Sequence, residues 1–183
     1  MRFLFIYISV FFFITTKVYS DLSKKIIDNL EKANNYSFKF AQQINKNKET
    51  GYCILAFNRK INCKYDNSGK ILVSDGKNLI IKNKNSNISN FYKLENTSFY
   101  KILDKQYLIN QITKNNVKSE YGELFTDLNY QNIDIKIFFD EEKLLIKGWK
   151  TKDIYNNSVS TEITINEVNK IINENIFDLK KFN

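Results

Sequence analysis

From Tyr36 onward the chain places a bulky residue at every second position. Tyr36, Phe38 and Phe40 alternate with Ser37, Lys39 and Ala41, and the pattern returns at Cys53, Leu55 and Phe57. It recurs at Ile61, Cys63 and Tyr65, and again at Ile133, Ile135, Ile137 and Phe139. Successive side chains of a strand point to opposite faces, so a period of two gathers all these residues on one face of a sheet. Strand-like runs cover residues 36–42, 51–57, 61–65, 71–73, 78–82, 87–94, 132–139, 143–149 and 159–165. Turn chemistry separates them, as at Asn58-Arg59-Lys60, Ser74-Asp75-Gly76-Lys77 and Asp140-Glu141-Glu142.

Two stretches follow a helical period instead. Leu22, Ile26, Ile27 and Leu30 recur on one face up to about Ala33, with Ser23 as a candidate cap. Thr97 opens the second, which carries Phe99, Ile102 and Leu103 and which residues 108–112 extend or repeat. The tail, residues 168–182, is loosely amphipathic and has no clear period. No repeat, linker or low-complexity break divides the chain, so the expectation is one sheet-rich α+β domain.

Residues 1–20 stand outside that domain. Arg2 precedes an apolar run from Phe3 to Ile14, too short for the roughly 20 residues a membrane-spanning helix needs. Val18-Tyr19-Ser20 then offers an export cleavage site, so residues 1–20 read as a signal peptide and 21–183 as the mature domain. No Cys follows the junction, which argues against lipidation of this chain. The whole chain has a net charge of +8, and loss of Arg2 and Lys17 leaves +6. Export argues against a nucleic-acid partner for this basic balance. Its lysines, interleaved with apolar strand residues in an Asn- and Ile-rich chain, read as a solvated face.

The chain has no His, which removes Ser-His-Asp, Cys-His and His-ligated metal arrangements together. The carboxylates Glu141-Glu142 fall in a turn, and no base stands near Ser74-Asp75 to activate the serine. No catalytic residue, metal site or cofactor is expected, and we do not read the chain as an enzyme.

A hairpin turning at residues 58–59 sets Cys53 opposite Cys63 and Leu55 opposite Ile61. Directly opposed strand residues lie within disulfide reach, and an exported chain meets an oxidising compartment. The pair is therefore read as a disulfide, against the alternative of two buried thiols. Arg59 is the only Arg left once Arg2 is removed. Its five-donor fork at a hairpin tip suits a clamp on a neighbouring helix or loop; the plainer reading is a surface Arg. The apolar stripes themselves fit either a packed core or a curved sheet around an apolar cavity under a helical lid.

Phe40-Ala41-Gln42, Gly51 to Tyr65 with Arg59 at the turn, and Val73-Ser74-Asp75-Gly76-Lys77 before an apolar strand resemble the LolA family of periplasmic lipoprotein carriers. Thr97 to Leu103, residues 137–145, Gly148-Trp149 and Asp153 extend the resemblance over residues 22–182. Ser98 and Lys60 stand where the family usually has Pro. The resemblance implies an incomplete, strongly curved antiparallel β-barrel with a helical lid over a hydrophobic cavity. It implies a periplasmic chaperone that takes acylated lipoproteins from an inner-membrane lipoprotein-releasing ABC transporter and delivers them to the outer membrane, with or without an acceptor there. The alternative is a periplasmic lipid-binding or lipoprotein-sensing protein of the same fold. A monomer is expected in either case. By the same resemblance Arg59 gates the lid through backbone hydrogen bonds. Ile26, Leu30, Phe99, Ile102 and Leu103 belong to the lid helices. The acyl-chain cavity would be lined by Tyr36, Phe38, Phe40, Leu55, Phe57, Ile61, Tyr65, Ile133, Ile135, Ile137 and Phe139.

Overall fold

The computed structural model describes residues 21–66, 68–86 and 88–182; the expected signal peptide lies outside them. Residues 21–32 form helix α1. The strands that follow are β1 (Asn35–Ile44), β2 (Asn47–Ala56), β3 (Lys60–Tyr65), β4 (Lys70–Asp75), β5 (Asn78–Asn83) and β6 (Ile88–Lys93). Helices α2 (Phe99–Ile102) and α3 (Lys105–Asn115) come next. The chain then forms β7 (Lys118–Glu120), β8 (Glu123–Tyr130), β9 (Ile133–Phe139), β10 (Ile146–Lys152) and β11 (Ser158–Val168).

The eleven described strands make one sheet in the order β6-β5-β4-β3-β2-β1-β11-β10-β9-β8-β7. Every neighbouring pair is antiparallel. Two meanders, β1–β6 and β7–β11, are thus fused where the first strand pairs with the last. The outer strands β6 and β7 do not pair, so the barrel is incomplete, and α2 and α3 form the connection between these two edges. The sheet is strongly curved: residues from both meanders, such as Leu72 and Leu79 on one side and Leu128 and Ile135 on the other, share a single apolar cluster. The three helices cap the cluster with Ile26, Leu30, Ile102, Leu108 and Ile112.

The hairpin register is as the alternation requires, with Cys53 opposite Cys63 and Leu55 opposite Ile61. The two sulfurs are joined in a disulfide. Two strands went unread in the sequence, β7 and β8. In β8 the inward positions are Leu124, Thr126, Leu128 and Tyr130, and a threonine in mid-strand dilutes the apolar stripe. The strand read over 143–149 is shifted: residues 141–145 turn, and β10 begins at Ile146. Residues 108–112 repeat the helical patch at 97–104 rather than extend it, because Asp104 ends α2 and caps α3 by accepting from the Tyr107 N–H at 3.0 Å.

Neither expected hydroxyl cap is one. Ser23 lies within α1 and its Oγ accepts from the Val117 N–H at 2.8 Å. Thr97 instead donates from Oγ1 to the Leu94 carbonyl at 2.8 Å. Asn62, on the outer face of β3, is buried because the tail covers it. Short 3-10 turns at Glu174–Phe177 and Leu179–Phe182 pack on the convex face of β3, β4 and β5. Asn62 donates to the Ile176 carbonyl at 2.6 Å, Lys60 pairs with Glu174 at 2.7 Å, and Phe177 is buried. This explains why Val73 and Ile80, on the outer face of β4 and β5, are as buried as the inner core.

Candidate functional site

The site is the concave face and the helices over it. Phe38, Phe40, Leu55, Ile61, Ile135, Ile137 and Phe139 are buried there, and Phe57 and Ile133 are half-buried at its margins. Rings are set edge-on: Phe40 against Tyr65 at 4.9 Å, Tyr36 against Phe57 at 5.0 Å, and Phe99 of α2 against Trp149 of β10 at 6.4 Å. Gly51 makes room for the first of these pairs, since a Cβ there would meet the Phe40 ring at 2.7 Å.

What remains open under the helices is an apolar cavity of about 150 Å³. Leu72, Leu79, Ile81, Phe99, Trp149 and Val159 form its walls, and Tyr92, Ile154 and Tyr155 stand at its rim. A void of about 10 Å³ continues it inward, bordered by Phe38, Phe40, Ile61, Tyr65 and the disulfide. A cavity of about 150 Å³ holds a molecule the size of benzene, far short of a long acyl chain. The concave face is closed in this structure, and most of the residues expected to line a cavity pack against one another. A larger hollow of about 710 Å³ lies over β8–β11, where Asp127, Asp134, Lys136, Lys150 and Lys152 stand beside Leu128, Ile135 and Val159.

The closed form is held at the rim by polar contacts. Arg59, at the β2–β3 turn, has φ of 66°, a left-handed conformation that costs a non-glycine residue about 1 kcal/mol or more. The neighbouring turn compensates. Ser74 donates from Oγ to the Arg59 carbonyl at 3.1 Å and accepts from the Gly76 N–H at 3.0 Å. Asp75 fixes that turn by accepting from the backbone N–H groups of Lys77 and Asn78. The Ser-Asp-Gly motif thus works as a splint for Arg59.

So held, the Arg59 guanidinium donates from Nη2 to Asp104 Oδ2 at 2.7 Å, and from Nε to the same oxygen at 3.3 Å. It also lies 4.5 Å from the centre of the Tyr100 ring. Asp104 sits where α2 ends and α3 begins, and its backbone bridges Asn58 across the gap. Burial works against the Asp104 carboxylate, but hydrogen bonds from Arg59 and Tyr107, with the nearby positive charges, hold it below the usual carboxylate range. The Arg59 pKa is raised, chiefly by the Asp104 hydrogen bond. The fork therefore grips a side-chain carboxylate rather than the backbone carbonyls the resemblance implied.

Two further ties hold the lid. Lys105 donates to the carbonyls of Glu31 and Ala33 at 3.3 and 2.8 Å, a cation at the C-terminal end of α1. Lys101 lies among the rings of Tyr100, Tyr107 and Tyr130, at 5.1, 4.3 and 4.9 Å from their centres. Tyr107 also donates to the Asn129 carbonyl at 3.0 Å. Sequence reading missed Asp104, Lys101 and the three tyrosines. Asp104 just before a helical run was a readable cap signal; the tyrosine cage, drawn from three separate elements, had none.

No family model matches the sequence, and no curated protein does. Among solved structures, the chain is similar to a domain from Vibrio parahaemolyticus provisionally assigned to outer-membrane lipoprotein sorting. That match has 8% identity and a TM-score of 0.49, over 88% of this chain and 96% of that one. It is also similar to a LolA superfamily protein from Nitrosomonas europaea (7% identity, TM-score 0.42, 87% of this chain and 98% of that one). A third is the Mycobacterium tuberculosis lipoprotein LppX (10% identity, TM-score 0.45, 86% and 98%). At such identities the likeness is one of overall architecture and says nothing of ligand or role.

Proposed function

We propose that the protein is an exported carrier of acyl chains, and that its cargo is the lipidated end of lipoproteins travelling through the periplasm between the inner and outer membranes. The observation that carries this reading is the pairing of a predominantly apolar concave face with a lid fastened by polar contacts at its rim. Arg59 and Lys105 bond at the lid margin and Lys101 lies against tyrosine rings there, where water can replace their partners. Such a lid can lift without unfolding the sheet, because the disulfide and the strand ladders lie below it. Each acyl methylene buried under it is worth about 0.8 kcal/mol, which offsets the loss of the rim contacts.

In this reading the chain receives cargo from an inner-membrane lipoprotein-releasing ABC transporter and gives it up at the outer membrane. Release requires that closed-empty and open-loaded forms differ by only a few kcal/mol, and rim contacts of this partly exposed kind are of the right size. Gel filtration of the mature chain with a triacylated lipoprotein and with its unacylated form tests the proposal. A soluble complex with the acylated form alone is expected; none with either, or equal binding of both, would overturn it.

A further inference from the structure

Two hydroxyls on the concave face have no partner. Tyr36 on β1 and Thr126 on β8 are fully buried, and neither the Tyr36 Oη nor the Thr126 Oγ1 makes a hydrogen bond to any described residue. Both positions would take an apolar residue of nearly the same shape, phenylalanine or valine, with no lone group to bury. The sheet instead keeps two O–H groups in its interior, which is costly unless something meets them in another state of the protein.

Both sit under parts of the lid that rim contacts hold down. The Tyr36 ring stands against Phe57, next to the turn that carries Arg59, and Thr126 lies on the strand that α3 packs against. Lifting α2 and α3 away from the β2–β3 turn and from β8 would give a ligand access to both. They lie in different meanders, on β1 and β8, so together they address one molecule spread across the concave face rather than a single point on it.

We propose that Tyr36 and Thr126 are polar anchors for the ester carbonyl oxygens of a bound acyl lipid, an inference that rests on the carrier reading above. An ester is the matching group. It carries acceptors and no donor, so it satisfies two O–H donors without bringing an unpaired donor of its own into an apolar interior. A free carboxylate or phosphate would bring a charge that no buried cation here neutralises, and a bare hydrocarbon would leave both hydroxyls unmet. The anchors therefore select acyl esters over alkanes of equal length, and they set how deep the glycerol end of the lipid sits.

The test uses the mature protein with ethylene glycol dioctanoate, which carries two esters, and with eicosane, the alkane of equal length, both delivered from cyclodextrin, and follows Trp149 fluorescence or calorimetric heat. The wild type is expected to prefer the diester over the alkane, and Tyr36→Phe and Thr126→Val are each expected to cut that preference about 3- to 10-fold. Thermal melts of the empty variants are expected to match or exceed the wild type, because a lone buried hydroxyl has been removed. A preference that survives both substitutions, or a variant that melts markedly lower because the hydroxyl already has a partner, overturns the anchors while leaving the carrier reading intact. If the wild type binds neither ligand, the carrier reading itself fails and takes the anchors with it.

Discussion

Arg59 and Asp104, far apart in the chain, meet with 2.7 Å between Nη2 and Oδ2 and so fasten the α2–α3 lid to the β2–β3 turn. The carboxylate is mostly shielded and the guanidinium about one-third exposed, so the contact is worth about 1–2 kcal/mol. In the proposed carrier cycle, ligand binding breaks it. Arg59→Leu is therefore expected to tighten binding of an acyl probe by roughly 5- to 30-fold and to slow release correspondingly. Stopped-flow dissociation of a fluorescent fatty acyl probe measures this, and unchanged release would remove Arg59 from gating.

Acid acts on the same pair. The folded protein holds Asp104 below its ordinary pKa, so the carboxylate is more easily ionised folded than unfolded. Its contribution to stability is complete above about pH 4 and disappears as pH falls further, through the depressed folded value. Arg59 stays charged throughout. Wild type and Asp104→Asn are expected to differ in melting temperature at pH 6 and to converge towards pH 2. Melts across that range check it; a constant gap would assign the difference to something other than ionisation.

The disulfide spans a sequence separation of 10, and closing so short a loop contributes about 2–3 kcal/mol. The Cys53→Ser, Cys63→Ser double variant is expected to melt about 5–10 °C lower than the oxidised protein. Strong reductant should bring the wild type to the same point. A smaller drop would mean that the strand ladder alone already fixes this part of the wall.

Much of this was readable in the chain. The alternation at Tyr36-Phe38-Phe40 and at Ile133 to Phe139 gave the concave face, because a period of two maps directly onto one side of a sheet. The sum of paired positions about one turn gave the Cys53–Cys63 register. The tail was illegible for a physical reason: its partners are Asn62, Val73 and Ile80, on the face of β3–β5 that alternation marks as outward. A segment covering an outer face from a distance leaves no local period. The Arg59 partner escaped for a similar reason, since sequence shows a five-donor fork but not which acceptor the fold will bring to it.

That tail yields a prediction of its own. Phe177 is the buried side chain of the turn that packs on β3 and β4, with Lys60–Glu174 and Asn62–Ile176 as its polar flanks. Phe177→Ala is expected to cost about 3 kcal/mol and to free the tail from β3–β5 without disturbing the concave face. Hydrogen exchange would then show faster exchange at residues 174–182 and at Asn62, with β8–β10 unchanged. If exchange speeds up over the whole sheet instead, the tail is part of the main folding unit.

The cavity offers the sharpest separation of fold from function. Val159 and Leu72 both line its roughly 150 Å³, and both belong to strands held on each side by neighbours. Val159→Phe adds a ring where there is already space, so the closed form is expected to keep its melting temperature to within a few degrees. An acyl chain would then have to displace that ring as well as the lid, and probe affinity is expected to fall at least tenfold. Measuring both on the same sample distinguishes the cases. Lost affinity at retained stability places the ligand under the lid, whereas full affinity would move it to another surface.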